Sequence, residues 1–389
     1  MKTSNILLSL IAVSALTLTG CGGGGSSSTP AAPATPAVKY SVKQTADLKT
    51  ASAATGSTTT GATTTGNLSA DGKAKSTLSS NITADLTLTT DKIWIIDGLV
   101  TVKNGATLTI PAGTLLAGKA GKGDNTSYLV IDKGSKIDAQ GTATNPIVFT
   151  SETVVNGGAA AAGQWGGVTL IGKAANDQVG AYEANTIFVP ESTDLTDSSG
   201  IMTHVKVLNT GIAIRENEEV NGLSFVGVGS GTTISDITIE NAADDGIELW
   251  GGTVNLSNIS ISNALDDSFD IDDGFSGTVT NLKIVNNKGK AGIEMSGTTH
   301  ATFNGFNITI GANQAKEGGI YFKKDGIGGH FENGTITHNA SNDNGAIYSV
   351  GTADSDNISF DNVILTGSSE YKITGDSAEV LHVKFNGQK

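Results

Sequence analysis

The chain has little of what usually marks a catalytic or nucleic-acid-binding protein. It has one Cys in 389 residues, so neither an internal disulfide framework nor a thiolate metal centre can form. Only Arg215 is an arginine, and 24 basic residues face 38 acidic ones for a net charge of −14. Phosphate neutralisation needs clustered Lys and Arg, which excludes nucleic acid as a partner. Aromatic residues make up 5% and there are six Pro. No segment carries a long helical apolar period, and the sequence has no Ser-His-Asp order, phosphate loop or cofactor fingerprint. What the chain does have is Gly, 51 residues of it, about twice the usual share. Thr, Ser and Asn are also abundant. That composition disfavours helices and favours short strands joined by turns.

The N-terminus reads as an address. Lys2 precedes an apolar run from Ile6 to Leu18, which is short for a mature membrane span and suits a secretory signal over residues 1–20. The run ends in Leu18-Thr19-Gly20-Cys21, which resembles the bacterial lipobox. The resemblance implies lipidation of Cys21, the one thiol in the chain, and attachment to a membrane at about 0.8 kcal/mol per buried methylene. Gly22 stands where an Asp commonly marks inner-membrane retention in Gram-negative lipoproteins, so the resemblance implies the outer membrane, facing the periplasm or the cell surface. Residues 21–40 contain GGGGSSSTPAAPATPA, a flexible leash stiffened by Pro30, Pro33 and Pro36. Residues 41–90 are a Thr/Ala/Gly-rich, low-complexity segment and a possible N-terminal cap. Order is expected to begin near Leu86 or Ile93.

From residue 91 to 389 short alternating strands follow one another between Gly, Asn, Asp and Ser turns. Two series recur. One runs Ile237-Thr238-Ile239, Ile259-Ser260-Ile261, Leu282-Lys283-Ile284, Ile308-Thr309-Ile310 and Gly334-Thr335-Ile336. The other runs Ile247-Glu248-Leu249, Phe269-Asp270-Ile271, Ile293-Glu294-Met295, Ile320-Tyr321-Phe322 and Ile347-Tyr348-Ser349. Repeats of this length mark solenoids. Strands of about three residues are too short for propeller blades. The sequence therefore predicts an all-β chain after an unstructured tether: a single-stranded right-handed parallel β-helix (a solenoid). Alternate residues point into its core. The open ends need caps, and Val380-Leu381-His382-Val383 is the C-terminal candidate.

Three stretches carry a family resemblance. They are Ala139-Gln140-Gly141-Thr142 leading to Pro146-Ile147-Val148-Phe149-Thr150-Ser151, then Gln164-Trp165-Gly166-Gly167-Val168, and Gly227-Val228-Gly229-Ser230-Gly231-Thr232. With the Asp-Asp strands after them, they resemble lipid-anchored right-handed β-helix surface proteins of the pectate-lyase-like superfold. Trp165 is expected to cover a coil. The resemblance specifies fold better than activity.

Stacking the second series puts carboxylates in columns. Asp244 and Asp266 fall three residues before each strand, Asp245 and Asp267 two before, and Glu248, Asp270 and Glu294 at the outward centres. Like charges about 5 Å apart repel by roughly 0.8 kcal/mol in water and by more at lower dielectric, so such a patch raises pKa values or takes a cation. Oxygen ligands without Cys or nearby His favour Ca²⁺. One reading is a Ca²⁺ site built from Asp244, Asp245, Asp266, Asp267 and Asp270, with Glu248. The other is a solvated acidic edge with Lys288 and Lys290 as loose counterions.

The paired aspartates resemble those of polygalacturonases, but the Gly-His-Gly and Arg-x-Lys that accompany them there are missing. The histidines His204, His300, His330, His338 and His382 show no cluster spacing and read as surface or turn residues. Asp244, Asp266 and Arg215 are weak catalytic candidates, and a salt bridge from Arg215 to Glu216, Glu218 or Glu219 is the alternative. Tyr321 and Tyr348 form an aromatic ladder suited to sugar rings. The expected function is a monomeric, adhesin-like lipoprotein that binds glycans or partner proteins, Ca²⁺-assisted. The alternatives are a polysaccharide lyase or hydrolase, and a structural spacer.

Overall fold

The chain divides into two units, Met1–Ala54 and Thr55–Lys389. In the computed structural model the described residues are 62–68, 72–174, 180–181, 188–189, 194–215, 218–312, 317–340, 344–367 and 373–385. All belong to the second unit. The signal peptide 1–20, Cys21 and the tether 21–40 lie outside them.

The described residues form a right-handed parallel β-helix. Two sheets run its length, one of 15 strands and one of 10. A typical turn of the helix starts with a short strand, Leu223–Val226, continues into a long one, Thr233–Glu240, and returns to the next short strand, Ile247–Trp250. Each short strand pairs in parallel with its counterpart one turn on, Ile247 with Phe269 and then Ile293, Ile320 and Ile347. The predicted register of the second series is thus the observed one. Inward positions such as Ile247, Leu249, Phe269 and Ile271 are fully buried. Larger rings stack between turns, with Phe303, Phe331 and Phe360 at centroid spacings of 5.3 and 5.0 Å.

From Gly200–Leu208 onward each long strand is bent into two segments by one internal residue in the left-handed region. The bend residues are His204, Asp236, Asn258, Asn281, Gly305, Asn333 and Asn362. Asn is the side chain that best tolerates this conformation after Gly, and its amide also links the turns. Asn281 donates to Asn258 at 3.0 Å and Asn258 to Asp236 at 3.1 Å; further along, Asn362 donates to Asn333 at 3.0 Å and Asn333 to Asn304 at 3.1 Å.

Several expectations change. The parallel stack begins before residue 91: Ala74–Leu78 already pairs in parallel with Lys92–Ile96, and Ala62–Leu68 closes that end as an antiparallel strand. In the first series the fourth triplet is shifted by two residues. Phe306, not Ile308, pairs with Leu282, and Ile308 pairs with Ile284. A two-residue shift keeps every side chain on its face, and Gly334 beside Phe306 leaves room for the ring, into which any Cβ would run. Trp165 does not cover a coil but lies inside it, stacked on Phe149 at 6.5 Å and donating from Nε1 to the Leu208 carbonyl at 2.9 Å. His338 is no surface residue; it is fully buried. At the C-terminus the expected cap is a helix, Ala378–Lys384, which packs Leu381 and the following Phe385 against the last turn.

Candidate functional site

The acidic edge lies where the turn after each long strand leads into the short strand. The strand pairing sets Glu248 beside Asp270 and Asp270 beside Glu294, with Tyr321 and Tyr348 continuing the column. These side chains point away from the core, yet they are covered. Glu248 is 2% exposed, Asp270 6% and Glu294 1%. The reading of a freely solvated edge therefore fails at its centre.

Asp245 and Asp267 have a structural task that the spacing did not reveal. The Asp245 amide donates to the Asn221 side chain at 3.0 Å, the Asp267 amide donates to Asp245 Oδ1 at 2.8 Å, and the Ala291 amide donates to Asp267 Oδ1. Side-chain oxygens thus stand in for ladder partners where the backbone leaves the sheet, which satisfies buried N–H groups. Asn221 also donates to Glu248 Oε2 and so orients that carboxylate.

Three groups of carboxylates bring oxygens within 4.8 Å of one another: Asp244, Asp245 and Asp266; Asp245, Glu248 and Asp270; and Asp267, Glu294 and Glu317. All six residues of the expected Ca²⁺ site are among them, but Asp267 belongs with Glu294 and Glu317 and not with Asp270. Asp272 and Glu317 each keep one oxygen shielded from water with no hydrogen-bond partner. Burial, then the charge of Asp270, Asp244 and their neighbours, raises Asp245 well above the usual carboxylate range. Asp267 and Asp270 are raised in the same way, by burial and then by Glu294. Asp272 is pushed up to about 6, mainly by burial.

Two ammonium groups answer these charges. Lys290 lies 2.6 and 3.0 Å from the two Asp266 oxygens. The second is Lys323, not Lys288. Lys323 pairs with the buried Glu294, and although burial would lower its pKa, that pairing holds it above the ordinary lysine value. Its distance along the chain hid it; only stacking the next turn, where Lys323 follows the strand Ile320–Phe322, brings it to Glu294. The donor set fits a hard divalent cation: clustered carboxylates, no sulfur or imidazole in any group, and unpartnered oxygens at the margin.

The aromatic column differs from expectation. Tyr321 and Tyr348 stack on each other at 5.2 Å and 11°, and Tyr321 is buried. Tyr348 occupies the face that a sugar would need on Tyr321, which leaves the half-buried Tyr348 as the ring still open to solvent. Arg215 sits in a hairpin, Ile212–Arg215 with Glu218–Val220, opposite Glu218 in register; its side chain lies outside the described residues. That hairpin sets Ile214 and Val220 against Val226 and Trp250, an apolar strip on the same outer face.

A family model described as a pectate-lyase-like beta helix domain matches residues 80–384. No curated protein and no solved structure matches the chain.

Proposed function

Since this chain belongs to the pectate-lyase-like β-helix family, we propose that it is a lipid-anchored binding protein of the bacterial outer membrane whose acidic edge holds glycans or partner proteins with Ca²⁺ as the bridging ion. The observation that carries the reading is the charge imbalance at the edge. The eight carboxylates of Asp244, Asp245, Glu248, Asp266, Asp267, Asp270, Glu294 and Glu317 are clustered, and two ammonium groups, Lys290 and Lys323, pair with them. Closely spaced buried carboxylates repel one another, so the edge takes up either protons or a divalent cation. A bound Ca²⁺ with open coordination positions accepts oxygens from an acidic sugar, which an edge of bare carboxylates would repel. The lipobox-like Leu18-Thr19-Gly20-Cys21 and the leash after it support the anchor, with the protein acting as a monomer.

One observation favours a hydrolase instead. Burial raises the pKa of Asp245 and Asp270, the direction in which a general acid is tuned. A lyase is less well supported, because the base would be a neutral lysine and Lys323 is held as ammonium by Glu294.

The test is a panel of acidic and neutral glycans incubated with the full chain, with Ca²⁺ or with chelator. The proposal expects acidic glycans retained only with Ca²⁺ and no new reducing or unsaturated ends. Release of such ends transfers the site to an enzyme, and silence in both assays leaves a spacer.

A further inference from the structure

The motif from Ala139 to Ser151 has a consequence away from the acidic edge, on the long sheet. From the strand Gly200–Leu208 onward, a single left-handed residue makes each bend. One turn earlier the bend is a loop, residues 141–146, between the strands Lys136–Gln140 and Ile147–Ser151. The register shows the substitution directly: Gln140 pairs with Thr203 and Ile147 with Val205, so six residues occupy the place of His204 alone. The loop overhangs the next turns and walls off a groove of about 250 Å³, with Thr142 and Pro146 on the loop side and His204, Lys206, Asp236, Thr238, Asn258 and Ser260 as floor and far side.

The wall is preformed. The backbones of Thr142 and Asn145 exchange hydrogen bonds, each 3.1 Å, and the Asn145 amide also donates to Thr142 Oγ1 at 3.0 Å. Gly141 lies so close to the His204 carbonyl that a Cβ would collide with it. Preformed polar recesses lose little entropy on binding.

The groove also ends the asparagine ladder. Among the described residues, His204 is the one left-handed residue that is not Asn, Asp or Gly. The ladder ends at Asp236, whose carboxylate accepts from Asn258 but has no N–H to pass on; the His204 imidazole beyond it stands 4.0 Å from Asp236, outside hydrogen-bond reach, with both side chains about one-third exposed. A residue that breaks a local rule without structural gain, in a strained conformation beside a recess, is a candidate for function.

We propose that this groove binds one ring of a neutral saccharide. Asp236 accepts from its hydroxyls and the His204 imidazole bonds a further one, while Lys206, Asn258 and the hydroxyls of Thr238 and Ser260 complete the hydrogen bonding. The ammonium of Lys206 and the carboxylate of Asp236 cancel, so the groove favours neither an anion nor a cation. Its volume is below the ~300–1,000 Å³ typical of drug-sized ligands, which fits a single ring.

Saturation-transfer NMR on the full chain with glucose, galactose and mannose tests this, in chelator and in Ca²⁺. At least one sugar gives a signal that is the same in both conditions and weakens about tenfold or more in Asp236→Asn and in His204→Asn. Asn tolerates the left-handed bend at both positions, so loss of binding without loss of melting temperature separates recognition from folding. No signal from any of the three sugars, a signal that survives both variants, or one that chelator abolishes overturns the proposal; the last would place the sugar at the acidic edge.

Discussion

His338 is the residue whose environment is least expected for its type. It is fully buried, both ring nitrogens lack partners, and burial lowers its pKa. A histidine with a lowered folded-state pKa gives its full stability above its unfolded value of about 6.5, and that stability is lost as pH falls. His338→Leu removes two unsatisfied polar atoms and should raise stability by about 1–2 kcal/mol at neutral pH, and by more at pH 5. Denaturant melts of both proteins at the two pH values check this. A variant less stable than the parent at pH 5 would show that the imidazole has a partner. The buried carboxylates have the opposite sign. Their folded-state values are raised, so their stability is present below the unfolded values near 4 and lost as pH rises, through about 6 for Asp272 and in the same direction for Asp245, Asp267 and Asp270. The chelated protein should therefore melt at a lower temperature at pH 8 than at pH 5.5. The sequence showed these carboxylates as columns because the column depends only on period. It did not show that Asp245 and Asp267 accept backbone N–H groups, because that requires knowing where each turn leaves the sheet. Nor did it show His338 turning inward.

At the scale of the element, the bend ladder decides how the long strands turn. Asn258 supplies a left-handed backbone and bonds to the turns on both sides. Asn258→Gly keeps the conformation and loses the bonds, whereas Asn258→Ala loses both, adding about 1–2 kcal/mol of left-handed strain. Thermal melts should rank parent, Gly variant and Ala variant in that order; equal Gly and Ala variants would mean that the conformation costs nothing there. The short strands were legible because Ile-x-Leu triplets recur at a nearly even step and each strand has only one register that buries them. The long strand at Ile308 was misaligned by two residues because Ile308-Thr309-Ile310 matches the pattern better than Phe306-Asn307-Ile308. The paired Gly334, which accepts the bulk of Phe306, settled the register instead. The six-residue loop at 141–146 and the groove below it were not legible, since the sequence does not say which strand faces the gap.

Across the whole described unit, a stack of parallel turns has two open ends, and the chain closes both. An antiparallel strand covers the first and the helix Ala378–Lys384 the last. Truncation after residue 376 removes Leu381 and Phe385 and uncovers Phe360. Light scattering should then detect concentration-dependent association greater than that of the full chain; a truncated chain that associates no more than the full one would show that the helix is no cap. Calorimetric titration of Ca²⁺ into the chelator-stripped full chain at pH 7.5, paired with a thermal melt, tests whether the acidic edge holds a cation. A cation-binding edge gives saturable heat and a melting temperature raised by about 5 °C at a hundredfold excess over Kd, both lost in Asp270→Asn. An absence of heat together with an unchanged melt, or a response that Asp270→Asn retains in full, would contradict it.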